Sequence, residues 1–480
     1  MQKQLTIVQQ NDTHGHFKPH LEFVWNASGF ELKKTRGIGT AAGYVKGLKE
    51  TNPNLLFMDS GDIFHGTAPL VQSKGDVAVP ILNALELDAF VPGNWDFAYG
   101  KEQLGKLVKE LDASAVACNL LDDSTETPFL EPYVVKKTDN GLKIGVIGLT
   151  YPYEDKIMHN HFSEGLIFSK GLEQLPKHID KLKANENVDL IVVLSHMGLP
   201  LDVKLCSEVK GIDVLLSGHS HDRTRKPIVK NGTIIIQSGS HGSFLGRLDL
   251  TIENKNVVDY SHQFISLYEP SIPDDQTVTS LVQELFEPYE REHNETVGKT
   301  ATTLHRMTLE EAPMDRLITD AYLHSVEGDM ALSHGWRYGV PVAPGSITLN
   351  DLFQIIPTNP ELFTVELKGS EIYDMFEANL DHVYARDPYN QMGGYVLRTS
   401  GVRMTFKPYN PRGARIQTIF INGRPLDENT TYKIVAAGQQ TLKKFEKLKN
   451  YQNIHSIEVL KKYISSLSPV DVKMGDIESV

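Results

Sequence analysis

Five short polar loops, each following a run of apolar residues, restrict the possible folds of this chain more than any other feature of its sequence. The loops are Asp12-Thr13-His14, Ser60-Gly61-Asp62, Gly93-Asn94-Trp95-Asp96, Ser195-His196-Met197-Gly198 and Gly218-His219-Ser220-His221. The apolar runs before them cover residues 5–8, 54–58, 89–91, 190–194 and 214–216, and their length and composition are typical of buried strands. Because ligands of α/β sheets collect at the carboxyl ends of strands, we expect the five loops to share one edge.

The chain divides into two parts with different patterns. Residues 1–268 alternate β-branched runs with helical patterns at 37–50, 77–85, 101–111 and 171–184, which predicts an α/β domain. Turn residues at 269–275 and an amphipathic pattern at 276–293 predict a linker and connecting helix over 269–296. Residues 297–480 form the second domain, with helices near 314–325 and 371–380 and strands near 401–406, 416–421 and 432–436. A length of 480 residues agrees with two domains.

Composition and charge argue against several classes of protein. Hydrophobic content of 40% and charged content of 23% are ordinary for a soluble globular chain. A net charge of −13 argues against binding to nucleic acid polymers, which depends on neutralising phosphates. The two cysteines, Cys118 and Cys206, lack CxxC spacing, so no disulfide framework is predicted. No apolar run approaches the ~20 residues of a membrane span, and no signal peptide is visible, so we expect a cytoplasmic protein, or a periplasmic or exported one if the chain is a mature form.

The loops supply two carboxylates, one amide and four imidazoles: Asp12, His14, Asp62, Asn94, His196, His219 and His221. This mixture of hard oxygen and borderline nitrogen suits Mn, Zn or Fe and excludes an all-oxygen calcium site. Seven ligands exceed what one tetrahedral metal uses, so we expect two divalent ions about 3.5–4 Å apart, with Asp62 as the bridging carboxylate. Such ions lower the pKa of a bound water and hold an anionic oxyacid ester for in-line attack, which predicts a small anionic substrate.

Each loop taken alone has an ordinary explanation. An isolated Asp-x-His is most often a cap or a surface turn, and an isolated Gly-Asp is a common turn. The metal interpretation depends on five such loops in succession, each after a strand. We expect Asp96, in the third loop, to accept local hydrogen bonds. His16 and His65 lie beside the loops, and we expect them either to orient metal ligands or to have no role in the site.

Taken together, the strings DTH, GD, GN, SH and GHSH resemble those of the calcineurin-like metallophosphoesterases, and within them the 5'-nucleotidase family. The resemblance implies an N-terminal four-layer αββα sandwich, a connecting helix and a C-terminal 5'-nucleotidase-type α/β domain. It implies one metal held by Asp12, His14, Asp62 and His221, and another held by Asp62, Asn94, His196 and His219. The function it implies is hydrolysis of phosphomonoesters, with a nucleotide-like substrate, through a metal-bridging water or hydroxide.

One string departs from the nucleotidase pattern. The family reads GNHEFD, in which the His stabilises the transition state and the final Asp orients it, whereas this chain reads Gly93-Asn94-Trp95-Asp96-Phe97-Ala98. Trp95 and Ala98 therefore replace both members of that pair, while the ligand Asn94 remains. An indole cannot donate a proton to a leaving group, but its N–H can bind an oxyanion, so Asn94 and Trp95 stay candidate catalytic residues.

A tryptophan at this position, in a string of the GHWEFT kind, resembles the thiosulfohydrolases of bacterial sulfur oxidation. The string SHGWRYG at 333–339 is similar to SPGFRWG of that branch, and DPYNQMGG at 387–394 is similar to its DPYYQQGG. The late GGDG string of the nucleotidases has no clear counterpart near Ala436-Ala437-Gly438-Gln439. Asn94 points the other way, because it is the nucleotidase-type ligand, where the sulfur branch carries a His. A sulfur-oxyanion hydrolase served by a carrier protein is therefore an alternative. A metal- or nucleoside-binding protein without the His-Asp pair is a further one.

Several residues are candidates for contact with the substrate. Arg337 offers a bidentate guanidinium for an oxyanion and is also a candidate catalytic residue, with an interdomain salt bridge as the competing role. Arg316 and Arg403 are weaker candidates of the same kind. Tyr395 stands where the nucleotidases have a base-stacking aromatic, although strand packing is the favoured explanation for it, and Asn119 is either near the substrate or part of a turn.

Overall fold

The computed structural model describes residues 1–438 and 442–480 and divides into two compact units. The first unit comprises Met1–His20 and Lys34–Tyr289, and the second comprises Leu21–Lys33 and Glu290–Val480. This division differs from the sequence-based one in two segments. Residues 21–33 belong to the second unit, and most of the connecting helix belongs to the first.

Sixteen strands and nine α-helices lie before residue 293, a range that the structure describes without a gap. The strands are β1 Lys3–Gln10, β2 Leu21–Asn26, β3 Gly29–Lys34, β4 Leu55–Asp59, β5 Ala89–Phe90, β6 Ser114–Ala115, β7 Leu120–Asp122, β8 Tyr133–Lys137, β9 Lys143–Leu149, β10 Leu166–Phe168, β11 Leu190–Ser195, β12 Val214–Ser217, β13 Ile228–Lys230, β14 Thr233–Ile236, β15 Phe244–Glu253 and β16 Asn256–Ser266. The helices are α1 Ile38–Thr51, α2 Ala68–Ser73, α3 Ala78–Leu85, α4 Lys101–Glu110, α5 Glu154–Ile157, α6 Asn160–Ser163, α7 Gln174–Lys181, α8 Leu199–Glu208 and α9 Gln276–Glu292.

Two six-stranded sheets form the centre of the first unit. Their strand orders are β16-β15-β1-β4-β5-β6 and β13-β14-β12-β11-β9-β8. In the first sheet β1, β4 and β5 are parallel, and in the second β11 is parallel to both β9 and β12. All five apolar runs that precede the polar loops are strands of these sheets, as predicted. Each loop therefore lies at the carboxyl end of a parallel strand.

The layers of the first unit follow from the apolar pattern of its strands. Residues of both sheets, among them Ile7 and Val192, form one buried cluster, so the sheets pack face to face. The other side of the first sheet packs against α1, whose Ile38 lies in a cluster with Phe57 and with residues of α9. Behind the second sheet, the segment that follows α7 lies against β9, where a Cβ at Gly145 would be 2.8 Å from Leu182. The predicted four-layer αββα sandwich is confirmed.

The second unit contains mixed sheets and helices. Its remaining strands are β17 Thr296–Thr300, β18 Met330–Gly335, β19 Gly345–Thr348, β20 Glu361–Lys368, β21 Tyr395–Ser400, β22 Val402–Phe406, β23 Ile416–Ile421, β24 Arg424–Pro425, β25 Thr431–Ala437, β26 Asn450–His455 and β27 Ile477–Ser479. Its helices are α10 Pro313–Ser325, α11 Leu349–Ile355, α12 Gly369–Tyr384 and α13 Ser456–Leu467. The main sheet has the order β21-β18-β25-β20-β26 and the smaller one β24-β23-β22-β27. The predicted C-terminal α/β domain is confirmed.

The hairpin of β2 and β3 belongs to the second unit because of its aromatic residues. Phe23 is fully buried, and its ring stacks on Phe30 with centroids 4.4 Å apart. The ring of His305 also packs against Phe23, and the centroids of these two rings are 4.6 Å apart. The sequence analysis does not predict this hairpin.

Among the described residues, none of the helices is long and apolar enough to cross a bilayer.

Candidate metal centre

Five of the seven candidate ligands have a left-handed backbone. Their φ angles are 52° at Asp12, 46° at His14, 60° at Asp62, 72° at His219 and 59° at His221. Such values are uncommon outside glycine and cost about 1–2 kcal/mol each. Main-chain hydrogen bonds hold two of the loops together, since the N–H of Asp12 donates to Gly61 O at 2.8 Å and that of His14 to Asp62 O at 2.9 Å. Strain of this kind collects where side chains must be aimed at one point.

The first group of donors consists of Asp12, His14 and His221, whose ligand atoms all lie within 4.8 Å of one another. The Nε2 atoms of His14 and His221 face each other at 3.2 Å. His221 Nε2 also lies 3.2 Å from Asp12 Oδ1. Burial lowers the pKa of His14 well below its usual value, and His221 adds to this effect. His14 therefore presents a neutral imidazole, the form that binds a metal.

The second group consists of Asp62, His196 and His219. His196 Nε2 lies 3.2 Å from Asp62 Oδ2, and Asn94 Oδ1 lies 2.9 Å from His219 Nδ1. Burial alone would lower the pKa of His196, but the charges of Asp62 and Asp12 outweigh it and raise that pKa to about 10. The same negative charge attracts a cation, so the donor set fits divalent metals.

Asp62 lies between the two groups. Its Oδ2 is 3.7 Å from His14 Nε2 of the first group and 3.2 Å from His196 Nε2 of the second. Its other oxygen, Oδ1, accepts the backbone N–H of Trp95 at 2.7 Å. One oxygen is thus held by the protein and the other faces a histidine of each group, while the bridging role stays a prediction.

Hydrogen bonds orient several of the candidate ligands. His196 Nδ1 donates to Ser60 O at 2.5 Å, which leaves Nε2 for a metal. Asp12 accepts the backbone N–H of His219 and, at 2.7 Å, the side-chain amide of Asn11. The ring of Tyr151 packs on that of His219 with centroids 4.3 Å apart. These contacts limit the rotation of the rings before any ion binds.

Asp96 organises the loop rather than facing the donors, in agreement with the role predicted for it. Its carboxylate accepts four backbone N–H groups, from Asp62, Ile63, Phe64 and Gly93, at 2.7–2.9 Å. These bonds join the second and third polar loops at the edge of the first sheet. A short 3-10 turn, Asn94–Phe97, follows Gly93 and carries Asn94 and Trp95.

Neighbouring residues pack closely around Trp95 and Ala98, the two residues that depart from the nucleotidase pattern. The Trp95 indole is 5% exposed and stacks on the His65 ring, with centroids 4.6 Å apart and planes 13° apart. Phe162 meets the indole at an angle of 72° and a centroid distance of 5.9 Å. The carbonyl of Ala98 pairs with His161 Nε2 at 3.0 Å.

His241 is a neighbour of this centre that the sequence analysis missed. It is 1% exposed, its φ is 61°, and its N–H donates to Asp12 O at 2.7 Å. Its ring centroid lies 5.7 Å from that of His221 and 5.2 Å from that of His16. The sequence holds a signal for it, because Ser238-Gly239-Ser240-His241 comes shortly after the apolar run of β14, as the other polar loops follow their apolar runs.

Two of the candidate substrate residues have ordinary structural contacts. Asn119 donates to Thr150 O and Ser169 O and accepts the N–H of Thr150, as expected for the turn role. Arg316 Nε pairs with Asp320 at 2.8 Å, and its Nη1 pairs with Asp476 at 2.5 Å.

Of the other candidates in the second unit, Arg337 and Tyr395 lie at its main sheet and Arg403 lies on its smaller sheet. The Tyr395 ring has the guanidinium of Arg337 at 5.9 Å and that of Arg398 at 5.5 Å. Arg398 is buried beside Asp315, with Nε 3.4 Å from the carboxylate, whereas Arg337 is partly exposed. Arg403 is exposed on β22. Of the string compared with the GGDG motif, Gln439 lies outside the described residues.

Two family models match this chain. Residues 5–223 match the model described as calcineurin-like phosphoesterase, and residues 294–440 match the one described as 5'-nucleotidase, C-terminal domain. The trifunctional nucleotide phosphoesterase protein YfkN of Bacillus subtilis is 24% identical over 481 residues, which cover 90% of this chain but only 31% of that relative. The 5'-nucleotidase of Bos taurus is 25% identical over 523 residues, which cover 97% of this chain and 88% of that relative.

Solved structures share the fold over nearly the whole length. The sulfate thiohydrolase SoxB of Thermus thermophilus superposes with a TM-score of 0.91 at 24% identity, covering 99% of this chain and 96% of that chain. The 5'-nucleotidase precursor of the same organism superposes with a TM-score of 0.88 at 24% identity, covering 100% of this chain and 99% of that chain. With both family models matched in order, residues 5–223 belong to the calcineurin-like phosphoesterases and residues 294–440 form a 5'-nucleotidase C-terminal domain.

Proposed function

We propose that this protein is a metal-dependent hydrolase of phosphomonoesters, similar to the 5'-nucleotidases, and that its substrates are small nucleotide-like anions. The observation that carries the proposal is the pair of donor groups with Asp62 between them. The curated relatives, which include 5'-nucleotidases aligned over most of this chain, support the same substrate class.

The proposed ligand sets follow the two groups. One divalent ion would be held by Asp12, His14, Asp62 and His221, and the other by Asp62, Asn94, His196 and His219. Bound divalent ions activate water and neutralise charge on the ester, and the donor chemistry suits Mn, Zn or Fe. The protein itself orients the ligands, through the N–H groups of Trp95 and His219 and the carbonyl of Ser60.

We propose Arg337 as the group of the second unit that binds the substrate oxyanion. Arg337 is partly exposed, and its guanidinium lies over the Tyr395 ring, a contact that restricts the side chain. Tyr395 would contribute its ring face to the organic part of the substrate. Arg403 is a weaker candidate, and Asn119 and Arg316 would act indirectly, because their polar groups already bind neighbouring residues.

A second function is favoured by one feature, the absence of the His-Asp pair at positions 95 and 98. The sulfur-oxyanion hydrolysis implied by the thiosulfohydrolase resemblance needs a substrate presented by a carrier protein. Trp95 and Ala98 are both enclosed by packing. Neither an indole nor a methyl group can donate a proton to a leaving group, so these two positions provide no general acid. The likeness of the fold to SoxB is compatible with this alternative.

The test is a panel of substrates with the purified chain. We expect phosphate release from a nucleotide or from p-nitrophenyl phosphate when Mn²⁺ is added, and a loss of at least about a hundredfold in the Asp62→Asn variant, because one shared ligand serves both ions. Turnover of a thiosulfonate without turnover of any phosphate ester would replace the first proposal by the second.

A binding protein without catalysis gives a third, distinct result. The double variant Trp95→His with Ala98→Asp restores the pair that the nucleotidase pattern carries. If the natural chain turns over neither the phosphate esters nor the thiosulfonate and only this double variant hydrolyses the esters, the natural chain is a binder and both enzymatic proposals are wrong.

A further inference from the structure

Residue 95 and its neighbour Asn94 contact two members of the second donor group, Asp62 and His219. Its N–H donates to Asp62 Oδ1 at 2.7 Å, and the preceding residue, Asn94, places its amide oxygen 2.9 Å from His219 Nδ1. Any rotation of the 3-10 turn Asn94–Phe97 would therefore move a proposed ligand and release the oxygen of another. Whatever holds the Trp95 side chain in place also holds this turn.

The indole of Trp95 stacks on the ring of His65. The two rings are nearly parallel, 13° apart in plane angle and 4.6 Å apart in centroid distance, and Phe162 closes the arrangement edge-on. All three side chains are at most 5% exposed. Stacked aromatic pairs of this kind add to the stability gained from burying the rings.

The residue that follows His65, Gly66, lies against the first donor group. Gly66 has φ 123°, and a Cβ at this position would lie 2.4 Å from His14 O and 2.9 Å from His14 Cβ. The absence of a side chain at residue 66 lets this loop lie directly on His14. The residue after His65 thus lies against one donor group, while the His65 ring stacks on the turn that serves the other.

The ring of His65 acts through its face. Its Nδ1 is buried without a hydrogen-bond partner among the described residues, and burial lowers its pKa to about 3, so the imidazole is neutral at physiological pH.

We propose that His65 is a positioning residue: its ring, stacked on Trp95, fixes the turn that carries Asn94 and holds Asp62. The inference deepens the proposed function and rests on it for its kinetic part. It also explains how the centre keeps its geometry although the usual His-Asp pair is replaced. Phe162 supports the same indole from its edge.

The test compares three substitutions of one residue. His65→Ala removes the stack, His65→Gln keeps a polar group without an aromatic face, and His65→Phe keeps the face without the nitrogens. We expect kcat to fall roughly tenfold or more in the first two variants, with KM changed much less, and to be rescued in His65→Phe. A matched control is His178→Ala, which removes a partly buried imidazole packed on Tyr133 with centroids 5.6 Å apart, and which should leave activity unchanged.

Two measurements do not depend on turnover. In a background that replaces the other tryptophans, Trp25 and Trp336, acrylamide should quench Trp95 fluorescence more strongly in His65→Ala and His65→Gln than in His65→Phe. Calorimetric titration with Mn²⁺ should show affinity weakened roughly tenfold in the first two variants only.

The outcomes separate this inference from the proposed function. If the natural chain hydrolyses no ester, the proposed function fails, but the quenching and titration results still decide the role of His65. Retention of Mn²⁺ affinity and quenching behaviour in His65→Ala would overturn the inference. So would rescue by His65→Gln and not by His65→Phe, because that result would mean the nitrogens act and not the ring face.

Discussion

At the scale of single residues, the centre is maintained by backbone groups as much as by side chains. Asp96 shows this most clearly, since both of its oxygens accept two N–H groups each. The left-handed backbones at Asp12 and Asp62 are stabilised in the same way, by main-chain bonds between loops. The sequence indicates which side chains carry the chemistry, and local hydrogen bonds decide where those side chains point.

Replacing Asp96 by Asn should therefore destabilise the first unit and weaken metal binding. The amide nitrogen of Asn would face N–H donors, so two of the four backbone groups would lose their acceptor, at a cost of about 2 kcal/mol in the free energy of unfolding. Urea unfolding followed by circular dichroism measures this change. The control is Asp123→Asn, at an exposed position. Equal unfolding free energies for the two variants would contradict the assigned role of Asp96.

At the scale of elements, the strand ends approach one another closely, and small residues allow this approach. Gly93 follows β5 in an extended conformation, with φ −88° and ψ −178°, so its backbone needs no special freedom. A Cβ at this position would lie 2.3 Å from Asp62 Oδ1 and 2.5 Å from His196 Cε1. Gly93 is thus required for space, because it lies between a strand end of each sheet.

We expect Gly93→Ala to reduce Mn²⁺ affinity by about a hundredfold, because the methyl group would displace two proposed ligands at once. The matched control is Gly105→Ala on α4, where a Cβ would meet only Phe129 Cζ at 3.7 Å, an ordinary contact. Alanine also favours a helix over glycine, so this control should be neutral or slightly stabilising. Isothermal titration of both variants provides the comparison, and unchanged affinity in Gly93→Ala would disprove the steric role.

At the scale of the whole molecule, each unit has its own core, and the proposed metals belong to the first. The first unit has one cluster between its sheets and another beneath its helices, and separate clusters form the core of the second unit. The buried carboxylates and imidazoles of the metal centre oppose folding when no cation is present, because their charges are removed from water. Stability of the first unit should therefore depend on divalent ions.

Removal of metal should lower the temperature of unfolding. An ion that binds only the folded state at a concentration of 100 Kd adds about 2.7 kcal/mol to its stability. Differential scanning calorimetry in EDTA and in excess Mn²⁺ should show one transition shifted upward by the ion, and a much smaller shift in Asp62→Asn. Superimposable scans in the two buffers would rule out tight metal binding.

Acid should destabilise the second unit through His305. Burial, with a contribution from Arg398, lowers the pKa of His305 from 6.5 to about 4. Between these values the unfolded chain binds a proton that the folded chain does not, so the free energy of unfolding falls as the pH decreases from about 6.5 to about 4. Urea midpoints in EDTA at several pH values should show this slope, and His305→Phe should reduce it. An equal slope in both proteins would contradict the assignment.

The predictable part of this protein is the part encoded locally. Apolar runs followed by polar loops predict strands and their ends, since strand formation depends on nearby residues. The positions of most predicted helices agree with the observed ones, and those of the five site-forming strands do as well. The role of Asp96 as an acceptor of local hydrogen bonds is also predicted from its place beside Asn94.

The unpredicted features all depend on residues far apart in the sequence. Residues 21–33 join the second unit because Phe23 packs against His305, and no local pattern encodes that contact. The stack of His65 on Trp95 and the place of His241 beside His221 arise in the same way.

The residues alone therefore specify an α/β chain, the seven donors and the loss of the His-Asp pair, because spacing and chemistry are properties of short segments. The grouping of the donors, the place of Asp62 between the groups and the packing around Trp95 exist only in the folded chain. Strand register sets the distances between loops more than a hundred residues apart, and only the complete pair of sheets establishes that register.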